Sequence, residues 1–245
     1  MKNMSKGFTL VELLVVIGIL GILMGVLFPT INTAMQNAKT NSCCIQGRKL
    51  FTEIVQADIS REQKGMASVW PRTSDTKTDD TDDIAGNTYG TATEYFKKLF
   101  DLDHYGSEEC DPYVGCDLSV LSGYGVPPFA GQNFQGDNVL WNVAQGIESD
   151  LPEVVPVLVS RNACTDDLHT GGEFKGTEKK EVKIGKDKGG ESNIPFGGKV
   201  YVVIRKSGAS EVIEKKYSKQ YLIYRQQGFT IPTSSQFKYL KTGCK

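Results

Sequence analysis

A single carboxylate, Glu12, lies inside an otherwise apolar run covering residues 8–28. Those twenty-one residues make about 30 Å of α-helix, the thickness of a bilayer's hydrocarbon core. Seven residues precede the run, and Lys2 and Lys6 are their only charged side chains. A secretory signal peptide is cut behind its apolar region, next to small residues. Phe28-Pro29-Thr30 offers no such site, so the run is expected to stay with the chain as an anchor. Lysines before it and a large polar region after it place the N-terminus in the cytoplasm and the bulk outside. A charge within hydrocarbon is costly and calls for a partner, which makes Glu12 the residue to explain.

The segment Gly7-Phe8-Thr9-Leu10-Val11-Glu12-Leu13-Leu14-Val15-Val16-Ile17-Gly18 resembles the N-terminal signature of type IV pilins and type II secretion pseudopilins. The resemblance covers Lys6 to about Thr30. It implies that residues 1–7 are a leader removed by a membrane-embedded prepilin peptidase between Gly7 and Phe8. It also implies that Phe8 becomes the N-methylated terminus and that Glu12 matches the family's glutamate. It further implies an inner-membrane assembly platform and filament partners, both copies of this chain and other pilin-like subunits. The chain would be a single-pass protein of the bacterial cytoplasmic (inner) membrane, with its globular part periplasmic or extracellular.

Chemistry points the same way. Cleavage creates an α-ammonium at Phe8, and Glu12 is the nearby anion. Each charge lowers the cost of placing the other in lipid. The contact forms within one helix or between neighbours, and in the second case it sets the axial register of a filament. Gly18, Gly21 and Gly25 would allow close helix packing, Gly21 and Gly25 at small-xxx-small spacing. Pro29 lacks a backbone donor and is expected to bend or locally melt the helix.

Residues 29–64 continue the helix in amphipathic form. Ile31, Ala34, Met35, Ala38, Ile45, Leu50, Ile54, Val55 and Ala57 recur near helical spacing and predict the buried stripe. Gly65 is the expected stop. Residues 8–64 as one helix would run about 85 Å.

The remaining residues, 65–245, are sufficient for one globular domain. The chain of 245 residues carries a net charge of −1, so no broad basic surface suggests nucleic acid as a partner. Residues 73–93 read as a polar loop and 93–102 as a short capped helix. Residues 103–136 are punctuated by Gly and Pro, and 171–190 read as a mobile lysine- and glycine-rich stretch. Apolar runs at 138–144, 154–160 and 199–206 predict strands. The last is joined by a hairpin turn at 206–209 to a partner at 210–215. The predicted architecture is α+β: a long N-terminal helix, membrane-spanning in its first half, packed on an antiparallel β-sheet. The pilin resemblance implies the same arrangement.

Six cysteines, Cys43, Cys44, Cys110, Cys116, Cys164 and Cys244, admit disulfides outside the cytoplasm, with a connectivity that sequence does not set. Cys110 and Cys116 would close a local loop. Cys164 and Cys244 would pin the tail, as tail disulfides do in many pilins. Cys43 and Cys44 point to different sides of the helix. Asp79, Asp80, Asp82 and Asp83 offer hard oxygen ligands for calcium, as acidic loops do in several pseudopilins, although EF-hand spacing is missing. The acidic residues of 101–111 form a second calcium candidate, and no other cofactor is expected. His104 and His169 are the only histidines. A Cys164/His169 nucleophile pair is the one catalytic candidate, and it is outweighed by structural roles for both. His169 is not followed by Asp-Gly at the spacing some larger pilin-like proteins show, since Lys179-Lys180 stand there.

These observations favour a structural, non-enzymatic pilin-like subunit over a membrane-anchored or filament-tip adhesive module. A tethered hydrolase comes third.

Overall fold

The computed structural model describes residues 9–73, 84, 89–115, 117–123, 126, 129, 134–169, 171–184, 195–225, 228–231 and 237–242. Helix α1 spans Leu10–Glu62. The chain divides into two compact units, Met1–Lys39 and Thr40–Lys245.

In the first unit α1 is the whole of the described structure, and its apolar side chains are exposed, from Val16 at 46% to Leu10 at 79%. Helical structure continues through Pro29, correcting the expectation of a melted stretch. Two hydroxyls bond back to carbonyls around it: Thr30 Oγ1 donates to Leu27 O (2.7 Å) and Thr33 Oγ1 to Pro29 O (3.1 Å). Such back-bonding often accompanies a bend in a helix.

In the second unit the same helix buries Thr40, Cys43, Cys44, Gly47, Leu50, Ile54 and Arg61. This stripe differs from the one the apolar spacing predicts, since Ile45 is 66% exposed. The cause is Gly47, which lies under the Trp141 ring. A Cβ at Gly47 would stand 2.6 Å from Trp141 Cη2 and 2.8 Å from Ile204 Cδ1. The helix face that can come closest to the sheet is therefore the one carrying the smallest residue. The helix stops at Gly65, which takes a left-handed φ of 70° while Met66 N–H donates to Arg61 O (3.0 Å). Arg61 folds in at this end, donating to Ala67 O (2.8 Å) and lying over the Tyr113 ring.

A five-stranded antiparallel sheet forms from β1 (Trp141–Gln145), β2 (Pro156–Ser160), β4 (Val200–Arg205), β5 (Ser210–Glu214) and β7 (Lys238–Leu240), in the order β5-β4-β2-β1-β7. β3 (Gly172–Phe174) and β6 (Phe229–Ile231) pair separately. Side chains alternate across β4. Ile204 faces α1, whereas Arg205 faces the opposite side and donates to Ile223 O of α3 (Gln220–Tyr224). The central strands are thus covered on both faces, which is why they read as continuous apolar runs. The 206–209 hairpin closes as expected, with Gly208 at φ 77° and Arg205 N–H donating to Ala209 O.

Helix α2 (Ala92–Leu99) begins with Thr91 Oγ1 accepting from Glu94 N–H (3.2 Å). Of the stretch expected to be mobile, residues 171–184 are described and include β3, whereas 185–190 lie outside the described residues. Phe174 stacks on Phe229 with centroids 4.9 Å apart, and Tyr224 closes the cluster. β3, β6, β7 and α3 escape sequence reading because each is five residues or fewer and is held by partners distant in sequence.

Candidate functional site

Thr9 and Glu12 form a reciprocal cap at the start of α1. Thr9 N–H and Thr9 Oγ1–H both donate to Glu12 Oε2, at 2.8 and 2.7 Å, and Glu12 N–H donates to Thr9 Oγ1 at 3.3 Å. This is a capping box, which satisfies helix-terminal N–H groups that have no intrahelical partner. The carboxylate also sits at the positive end of the helix dipole. Glu12 Oε1 has no hydrogen-bond partner among the described residues. Thr9-x-x-Glu12 is the sequence signature of such a box.

Behind the cap, residues 10–28 present a continuous apolar surface far beyond what a soluble monomer exposes. By length and composition the helix can cross a membrane. Gly18, Gly21 and Gly25 have no atom within 4 Å of an added Cβ, so each is an open notch on that surface. Gly7 and Phe8 lie outside the described residues, as do Asp79, Asp80, Asp82, Asp83, Cys116 and Cys244.

None of Cys43, Cys44, Cys110 and Cys164 takes part in a disulfide, so the expected Cys110–Cys116 and Cys164–Cys244 bridges are not formed in this structure. Cys43 lies against Gly123 and Cys44 against Ser210, so the two diverge as expected. Burial, with Asp167 alongside, pushes the Cys164 thiol upward, the reverse of what a nucleophile needs. His169 turns its Nε2 to Gly172 O (3.1 Å) and its ring to Phe174 and Tyr224. The Cys164 thiol and the His169 ring are thus each engaged by other groups, Cys164 by Asp167 and His169 by Gly172, Phe174 and Tyr224. Among the described residues no group of three His, Cys, Asp or Glu is placed to hold a metal ion. In the 101–111 loop, Asp101 Oδ2 accepts from Asp111 N–H (2.9 Å), Asp101 Oδ1 meets His104 Nδ1 (2.8 Å), and Asp103 pairs with Lys97 (2.5 Å).

The backbone N–H of Asp111, followed by His104, holds the Asp101 carboxyl below its usual range, and Asp101 in turn raises His104. Because His104 is raised on folding, its contribution is fully present below the unfolded pKa near 6.5 and is lost as pH rises through the higher folded value. Two-dimensional NMR of the ring protons is expected to show His104 titrating above the ordinary histidine range, and Asp101→Asn should bring it down. An unchanged midpoint in that variant would remove the Asp101 pairing as the cause.

Residues 2–28 match the family profile described as the prokaryotic N-terminal methylation motif. This is the prepilin-type cleavage and methylation segment of type IV pilins and pseudopilins. The motif supports a type IV pilin-like or pseudopilin precursor, and with the apolar helix it suggests an inner-membrane anchor. Searches among curated proteins and among solved structures return no match.

Proposed function

We propose that the chain is a structural pilin-like subunit, a type II secretion pseudopilin or type IV pilin. In this reading it is cut between Gly7 and Phe8, methylated at Phe8 and assembled into a filament through α1. The observation that carries it is the state of Glu12: one carboxylate oxygen is held by Thr9, and the other has no partner among the described residues, at the head of a membrane-length helix. The free oxygen suits an α-ammonium brought by a neighbour, and the pair sets axial register. The three glycine notches admit close neighbours. The leader faces the cytoplasm and the second unit lies across the membrane. The prepilin peptidase and an inner-membrane assembly platform are its partners, and it has no catalytic role.

Intact mass and N-terminal sequencing of the chain from its native membrane test the reading. N-methylated Phe8 as the terminus is the expected result. A chain still beginning at Met1 in cells with an active peptidase would leave only an anchored domain. One beginning beyond Phe28 would remove the anchor and the proposal with it.

A further inference from the structure

The fold gathers lysines from two distant stretches onto one face. An isolated bridge pairs Glu181 with Lys219, Val182 N–H donates to Ser218 O (2.8 Å), and Gln220 N–H donates to Lys180 O (2.9 Å). Lys179 and Lys183 are thereby laid beside Lys215 and Lys219, and Lys215 N–H donates to the carbonyl of Lys199 (3.0 Å). Lys180 and Lys216 pair with Asp167 and Glu214. Lys179, Lys183, Lys199, Lys215 and Lys219 are exposed and have no carboxylate partner among the described residues. A depression of about 450 Å³ lies within this face, lined by Glu181, Lys215, Lys216, Ser218 and Lys219.

Five unpaired amines in a chain of net charge −1 imply an opposite surplus elsewhere. Among the described residues two exposed groups of carboxylates have no ion pair, Glu108, Glu109 and Asp111, and Glu148, Asp150 and Glu153. The second group already holds the Lys206 ammonium on the carbonyls of Glu148, Ser149 and Leu151, which leaves the first as the uncompensated one. No ion pair links the two patches among the described residues. We infer that the Lys179–Lys183–Lys215–Lys219 face docks the acidic 101–111 loop of a second copy. Two different patches meeting head to tail generate an open, repeating assembly. Charge complementarity of this kind sets orientation and register more than affinity. Glu181 sits among the lysines in the depression, where it repels a continuous phosphate backbone but tolerates discrete side-chain pairs. That favours another copy over nucleic acid. The inference rests on the filament reading above.

The test uses full-length protein in its native membrane and two cross-linkers. A water-soluble carbodiimide joins only touching amines and carboxylates, and a long amine-to-amine reagent reports any contact between copies. Cross-linked dimers isolated by mass and digested are expected to hold carbodiimide links from Lys215 or Lys219 to Glu108, Glu109 or Asp111. Lys215→Glu with Lys219→Glu should lower that yield by at least about tenfold, as should Glu108→Lys with Glu109→Lys. All four changes together in one chain should restore it. Long-span dimers without these zero-length links would overturn the docking inference and leave the filament reading standing. No dimers with either reagent would overturn both. Retention on DNA that is lost with the lysine reversal and unaffected by the acidic one would assign the face to nucleic acid and overturn the inference.

Discussion

Glu12→Gln is expected to reduce filament incorporation by more than about tenfold while the chain remains in the membrane with an intact helix start. The choice of glutamine separates two roles that alanine would confuse. A glutamine at this position of a Thr-x-x-Gln box still accepts from the Thr9 donors, so the cap survives. What is lost is the negative charge that a neighbour's α-ammonium needs, and an uncompensated ammonium in hydrocarbon is costly. Thr9→Ala is the converse variant, in which the hydroxyl is removed and the carboxylate stays. It should weaken the first turn of α1 and leave assembly largely in place. The measurement is the ratio of sheared or cross-linked filament to membrane-bound subunit, against total chain. If Glu12→Gln assembles normally and Thr9→Ala does not, Glu12 acts through the cap and the intersubunit ion pair is wrong.

The second large effect is expected at Gly47. Any side chain there meets Trp141, which is fully buried and pinned by its Nε1–H donating to Val120 O (2.9 Å). An added Cβ at 2.6 Å from the ring is closer than such contacts normally come. Alanine would gain up to about 1 kcal/mol of helix propensity at an ordinary site. Here overpacking of about 1–3 kcal/mol outweighs it, and valine should cost more. Trp141→Ala should lose about 3–5 kcal/mol through the cavity it leaves. Combining Gly47→Ala with Trp141→Phe should cost less than the sum, because the smaller ring makes room for the methyl. Urea unfolding of the detergent-solubilised chain gives these values from the shift in midpoint at constant slope. A neutral or stabilising Gly47→Ala would mean that α1 does not lie so close to the sheet.

The two predictions draw on different levels of information, and so did the reading of the chain. Glu12 stands out in the bare sequence because a carboxylate in a 21-residue apolar run has few physical explanations. The helix, its stop at Gly65 and the strands near 141–145, 156–160, 200–205 and 210–214 were legible for a similar reason. Each is a long local pattern whose period or apolarity survives without its neighbours. The local melting expected at Pro29 does not occur, because helical structure continues on either side of the missing donor.

The buried stripe of α1 was misjudged because apolarity does not measure approach distance. Ile45 carries the larger apolar side chain, but Gly47 is the residue that lets Trp141 and Ile204 close on the helix. The lysine face was invisible for the same kind of reason. Lys179 and Lys219 are forty positions apart, and only the Glu181–Lys219 bridge makes them neighbours. A net charge near zero conceals surfaces that are locally one-signed. The methylation motif, a helix long and apolar enough to cross a membrane, and the α+β class are all carried by local sequence. These follow from local periodicity and from the cost of charge in hydrocarbon. Only the tertiary structure decided which face of α1 packs and where the short strands pair. It alone decided which carboxylates are already engaged and which lysines stand together, because each depends on contacts between residues far apart along the chain.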